Sequence, residues 1–168
     1  MGHPVLRTRA QALDKAAVRH PLMQKLIDDM IETMHEYHGV GLAAPQVHED
    51  LRLFVGLLGE SPDADTEAAV LINPEITPRS DEKVDGREGC LSIPEIYGTV
   101  PRFVDIAVKA LDRSGKRVEL VLKGFPARVA QHETDHLDGV LFLDRMTSMQ
   151  SLSFLDEYSR FHGKEEDD

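Results

Sequence analysis

Two histidines four residues apart enclose a glutamate in the run ARVAQHETDHLDG, which places His132, Glu133 and His136 in an H-E-x-x-H arrangement. On a helix, residues four apart share one face, so both imidazoles can reach a single metal ion. The glutamate beside the first ligand is then placed to handle a proton. Ala127, Val129, Ala130 and Leu137 flank the motif, so the helix is partly buried, where unpaired imidazoles are costly. Two ligands leave a metal incompletely held, and a third has to come from elsewhere.

Three sources can be compared. An extended H-E-x-x-H-x-x-G-x-x-H pattern would put the third ligand six residues beyond His136. Gly139 fits that pattern, but the last position is Phe142, which cannot bind metal. A downstream carboxylate is the second source, and Glu157 lies within reach in sequence, although SFLDEYSRF reads as a solvated face. The third is Cys90, the one cysteine of the chain, in REGCLSIPEIYG. A thiolate suits Zn²⁺ or Fe²⁺, and three protein ligands leave a fourth position for water. Cys90 explains the most residues.

Three segments resemble the peptide deformylase family: GVGLAAPQ at 39–46, EGCLS at 88–92 and QHETDH at 131–136. They stand in the family's order, and the resemblance runs from about Val5 to Met146. It implies an enzyme that removes the formyl group from newly made polypeptides beginning with formyl-methionine. Carried over by residue, it implies Cys90, His132 and His136 as metal ligands and Glu133 as general acid/base. Gln46 and the backbone amide of Leu91 become the partners of the oxyanion. It also implies one divalent ion per chain, typically Fe²⁺, with Zn²⁺, Ni²⁺ or Co²⁺ able to substitute.

Chemistry supports these roles independently. A divalent ion lowers the pKa of bound water from about 15.7 toward about 7, and a neighbouring carboxylate can take that proton and deliver it to the leaving amine. An amide side chain such as Gln46 does not titrate, so it donates at any working pH. Val40, Gly41, Gly89, Phe125 and Val129 are the candidate substrate contacts, with Gly41 small enough to let an extended peptide come close. Arg128 stands where an aliphatic wall would be simpler; its stem is expected to pack while its head reaches solvent. Glu88 and Arg102 are expected to form an ion pair beneath the site, and Asp135 or Asp138 to orient a histidine.

The elements that must position these groups are legible in part. Leu22, Leu26, Ile27, Met30, Ile31 and Met34 recur at helical spacing between Pro21 and Gly39, which predicts a helix ending at that glycine. Strands are predicted over 51–58 and 69–76, and a hairpin around Asp112-Arg113-Ser114-Gly115. The helix with His132 and His136 ends at Gly139, and an amphipathic stretch with Leu152, Leu155, Tyr158 and Phe161 follows. The pattern gives one α+β domain over residues 1–168, with antiparallel β-sheets packed around the metal-binding helix.

At 168 residues, 41% hydrophobic and without a long apolar run, the chain reads as globular rather than membrane-spanning. A formal charge of -11 argues against direct nucleic-acid binding. MGHPVLRTRA lacks the apolar core of a secretory signal, and the expected location is the cytoplasm, with transient ribosome proximity. Two alternatives stay open: a zinc metallopeptidase completed by Glu157, and a non-catalytic binder of peptide termini.

Overall fold

A computed structural model describes residues 1–63 and 65–162, so the acidic tail with Glu165, Glu166, Asp167 and Asp168 lies outside the described residues. The short helix α1 (Lys15–Val18) leads to α2 (Pro21–Glu36), then to strands β1 (Gly41–Ala43), β2 (Leu53–Gly56) and β3 (Ala69–Pro78). A long hairpin, β4 (Lys83–Cys90) and β5 (Ile93–Phe103), precedes β6 (Asp105–Leu111), β7 (Arg117–Lys123) and α3 (Phe125–Leu137). The chain continues through α4 (Phe142–Arg145), β8 (Ser153–Phe154) and α5 (Leu155–Phe161).

Five strands form one antiparallel sheet in the order β1-β2-β3-β6-β7, and three form a second in the order β4-β5-β8. The two-residue period of a strand decides what each face of the larger sheet meets. Leu53 and Val55 on β2 and Val70 and Ile72 on β3 pack with Ile27, Met30 and Met34 of α2. Phe54 and Leu71, between them in sequence, pack with Ala127, Ala130 and Leu137 of α3. The sheet is thus sandwiched between the two long helices. Each fully buried side chain of this kind contributes roughly 1.5–3 kcal/mol.

One local expectation changes at the end of α2. Helix α2 begins at Pro21, capped by the His20 ring, but its left-handed turn residue is His38 (φ 54°) rather than Gly39. The Gly39 N–H instead closes the turn onto Met34 O at 2.9 Å. The β4–β5 hairpin is an addition the sequence does not predict, because KVDGREGC carries charges and glycines on both faces and shows no clear alternation. Asp112 Oδ1 accepts from the N–H groups of Ser114 and Lys116 in the β6–β7 turn, as expected, and Gly139 (φ 72°) follows the end of α3. The strand expected over 51–58 is shorter, Leu53–Gly56, and Leu22, Leu155 and Phe161, expected on apolar faces, are exposed.

Helix α3 is the element that matters for chemistry. It packs on β1, β2, β3, β5 and β7, and its polar residues Gln131, Glu133, Thr134, Asp135 and His136 are all buried. A helix buried on its polar side needs internal partners for those groups. Gln131 finds its own on the end of β5, accepting from Phe103 N–H at 3.1 Å and donating to Phe103 O at 2.9 Å.

Candidate metal centre and its cleft

Donor atoms of Cys90, His132 and His136 all lie within 4.8 Å of one another. Cys90 comes from the end of β4, just past a register shift in the β4–β5 ladder, and the two histidines come from α3. Cys90 Sγ stands 3.3 Å from His136 Nε2. His132 turns its Nδ1 to Glu88 Oε2 at 2.9 Å. An ionised carboxylate only accepts, so Nδ1 carries a hydrogen and Nε2 is the nitrogen left to face a ligand.

Electrostatics fit the same group. Burial would lower the His132 pKa, but the hydrogen bonds to Cys90 and Glu88 and the charge of Glu133 outweigh it and hold it at about 10. The pocket therefore attracts positive charge to this ring, and a divalent cation answers that attraction. His136 is pushed down to about 3 by burial and by the charges of His132 and Arg102, so the ring is neutral and has one nitrogen lone pair to give. One thiolate and two imidazoles form a set that borderline divalent metals accept. By charge and by donor chemistry, the residues present fit such a metal.

Glu133 lies beside it, with Oε2 buried and unpartnered among the described residues. Burial pushes its pKa up to about 7; Glu88 adds to the shift, while His132 and Arg102 oppose it. A carboxyl poised near neutrality can both take and give a proton. It packs directly on β1: a Cβ at Gly41 would fall on the Glu133 carboxylate, 2.7 Å from its Cδ. The glycine thus makes room for Glu133, where sequence reasoning gave that room to the substrate. Gln46, on the short turn after β1, accepts from Ala43 N–H through Oε1 at 2.9 Å. Its amide nitrogen therefore faces Cys90 Sγ (3.4 Å) and Ser92 Oγ (3.1 Å).

A cleft of about 590 Å³ opens over these groups, lined among others by Val40, Gly41, Gln46, Gly89, Leu91, Phe125, Val129 and Glu133. Every candidate substrate contact borders it, while His136 lies beneath, 1% exposed. Pairing with β2 on one side only, β1 is an edge strand of the larger sheet. Glu157, on the exposed helix α5, is not in the metal-binding group.

The surroundings hold three results that sequence reasoning missed or misplaced. Glu88 orients His132, a role sequence reasoning assigned to Asp135 or Asp138. Asp135 instead takes Arg102 (2.6 Å) and Arg145 (2.8 Å), and Asp138 takes Arg52 at 2.9 Å. The expected Glu88–Arg102 pair is present, two-pronged at 2.9 and 3.0 Å, and with the bond to His132 it holds the Glu88 carboxyl at about 2 although burial acts to raise it. The Arg128 side chain is only 16% exposed, at the border of the cleft, and contrary to expectation its head does not extend into solvent. It is turned inward onto Val84 O, Val100 O and Glu88 Oε1. A glutamate two residues before a ligand on the same strand was the available signal for Glu88; nothing local marks Arg128.

Comparison with known proteins gives consistent results. The family profile described as polypeptide deformylase matches residues 1–152. Peptide deformylase 2 of Nostoc sp. is 42% identical over 162 residues, covering 94% of this chain and 89% of its own length. The peptide deformylase of Thermotoga petrophila is 46% identical over 151 residues, covering 90% and 87%. Among solved structures, class I type b peptide deformylase from Acinetobacter baumannii with Met-Ala-Ser bound matches at a TM-score of 0.80 and 39% identity, over 87% of this chain and 94% of that one. Peptide deformylase from Thermotoga maritima matches at 0.79 and 44%, over 88% and 95%.

Proposed function

This chain belongs to the polypeptide deformylase family, whose metal-dependent enzymes remove the formyl group from N-formyl nascent peptides, and we propose how its residues divide that work. The convergence of Cys90, His132 and His136 at the floor of the cleft carries the assignment. These three hold the metal, which we take to be Fe²⁺, with Zn²⁺, Ni²⁺ or Co²⁺ as substitutes that the same donors accept. When bound, the metal would supply Lewis-acid polarisation of the formyl carbonyl and lower the pKa of the attacking water.

The chain's own groups do the rest. Glu133 accepts the proton of the attacking water at Oε2 and later delivers it to the peptide nitrogen. Formate leaves, and the peptide keeps a free amine. Its pKa of about 7 suits both transfers. Gln46, with its carbonyl engaged by Ala43 N–H, offers its NH₂ group to the oxyanion together with the Leu91 N–H. Each such donor is worth roughly 3 kcal/mol in the transition state.

The open edge of β1 lets an extended peptide add as a further strand. Val40, Phe125 and Val129 then surround the methionine side chain, with Gly41 and Gly89 at the backbone. The related Acinetobacter structure with Met-Ala-Ser bound supports a short methionine-led peptide as the occupant. No described helix is long and apolar enough to cross a membrane. We place the reaction in the cytoplasm, close to the ribosome, on chains as they emerge.

The test is formate release from a formyl-Met tripeptide by protein prepared without oxygen and with its metal counted. The expected result is rapid release at about one metal per chain, abolished in Glu133→Ala with the metal retained. No release from protein loaded with Fe²⁺ or Ni²⁺ overturns the reading.

A further inference from the structure

Arg128 has no part in the chemistry above, yet its surroundings are built around it. It stands on α3 one turn before His132, and its guanidinium is held by acceptors from two strands. Nη1 donates to Glu88 Oε1 (2.9 Å) and Val100 O (2.7 Å), and Nη2 donates to Val84 O (2.6 Å). Opposite it, β4 carries Gly86, where a Cβ would stand 2.6 Å from Arg128 Cζ. A side chain there would meet the guanidinium and push it aside.

We infer that Arg128 is a positioning residue for the metal centre, acting on His132 through Glu88. The inference rests on the metal-site reading given above. Glu88 Oε1 receives Arg102 Nε and Arg128 Nη1, and Oε2 receives Arg102 Nη2 and His132 Nδ1. Arg102 alone grips the carboxylate from one side. Arg128, which borders the cleft, adds a second guanidinium donor to Oε1. A carboxylate held by both guanidiniums keeps Oε2 in line with the ring, and the ring keeps Nε2 aimed at the other two donors. Partners of this kind typically change metal affinity 10–100-fold. The planar fork does what a single ammonium nitrogen cannot, because its two terminal nitrogens stand apart, Nη1 serving Glu88 and Val100 while Nη2 serves Val84.

A purely structural role, the stitching of β4 to β5, predicts something different, and Co²⁺ affinity separates the two. Wild type, Arg128→Met, Glu88→Gln and the double variant are titrated with Co²⁺ after removal of metal, following the thiolate-to-cobalt absorption, below the melting temperature of each. The expected result is a Co²⁺ dissociation constant raised about 10–100-fold in Arg128→Met, with no further rise when Arg128→Met is added to Glu88→Gln. Gly86→Ala, whose methyl displaces the guanidinium, weakens Co²⁺ binding in the same direction. Equal affinity in wild type and Arg128→Met, or additive losses in the double variant, overturns the inference. Should Arg128→Met not fold, Arg128→Lys carries the test, with an intermediate loss expected and wild-type affinity refuting it. Failure of the wild type itself to bind Co²⁺ strikes at the metal-site reading instead.

Discussion

Replacing Gly41 by alanine puts one methyl group where Glu133 now packs. The new Cβ would stand 2.7 Å from Glu133 Cδ and 2.8 Å from Cγ, with Oε1 nearer still. Carbon atoms rest comfortably about 3.5–4.0 Å apart, so the carboxylate has to retreat by about 1 Å. It has little room to do so, being only 4% exposed. A displacement of this size at a reacting group costs on the order of 100-fold in rate, or about 2.7 kcal/mol. The backbone accepts alanine, since Gly41 lies in β1 without a positive φ, and overpacking costs the fold about 1–3 kcal/mol. None of the atoms nearest the methyl belongs to Cys90, His132 or His136. The variant should therefore keep its metal, melt somewhat lower and lose about 100-fold in kcat on a formyl-Met tripeptide. A kcat within threefold of wild type would refute the idea that the Glu133 position limits the reaction. Loss of metal together with activity would refute it too, by showing that the methyl acts through the ligands.

Three further outcomes follow from the same geometry. Gln46→Leu keeps the bulk but removes the NH₂ group facing Cys90, and kcat should fall about 100-fold or more with metal content unchanged; steady-state kinetics with metal analysis checks this. Arg102→Met leaves Glu88 and Asp135, both buried, short of their shared cation, and denaturant unfolding should show a loss of about 3–5 kcal/mol. Glu88 sits at about 2 in the fold against 4.5 ordinarily. Its contribution is therefore complete above pH 4.5 and is lost as pH falls toward 2, to an extent of about 3 kcal/mol. In unfolding curves measured with a chelator, the stability gap between wild type and Glu88→Gln should narrow between pH 5 and pH 2; a gap constant over that range refutes the assignment.

The features legible in the chain itself are local or chemical in kind. The stripe from Leu22 to Met34 and the pair His132 and His136 repeat at the period of one helix, so each shows itself in a short window. The Asp112–Gly115 turn is equally local, because one aspartate oxygen serves the amides just after it. Cys90 stands out by elimination and by the resemblance of its motif, since no periodicity links it to a histidine 46 residues away. The hairpin β4–β5 is not legible, because its charged and glycine residues show no two-residue alternation. Charges such as Glu88 and Arg102 point inward, where their residue types by themselves suggest water.

The sequence alone determined the chemical inventory of this protein: one thiol, an H-E-x-x-H helix, an amide at Gln46, and strands and helices enough for one α+β domain. Residue types and short-range spacing are written directly in the chain. Tertiary structure alone decided which carboxylate steadies His132, where the Arg128 head goes, and which group the small size of Gly41 accommodates. Each of those answers depends on which buried donor finds which buried acceptor. A buried polar group must pair with whatever the fold brings within about 3 Å of it, and for Arg128 and Glu88 that partner lies 40 residues away along the chain.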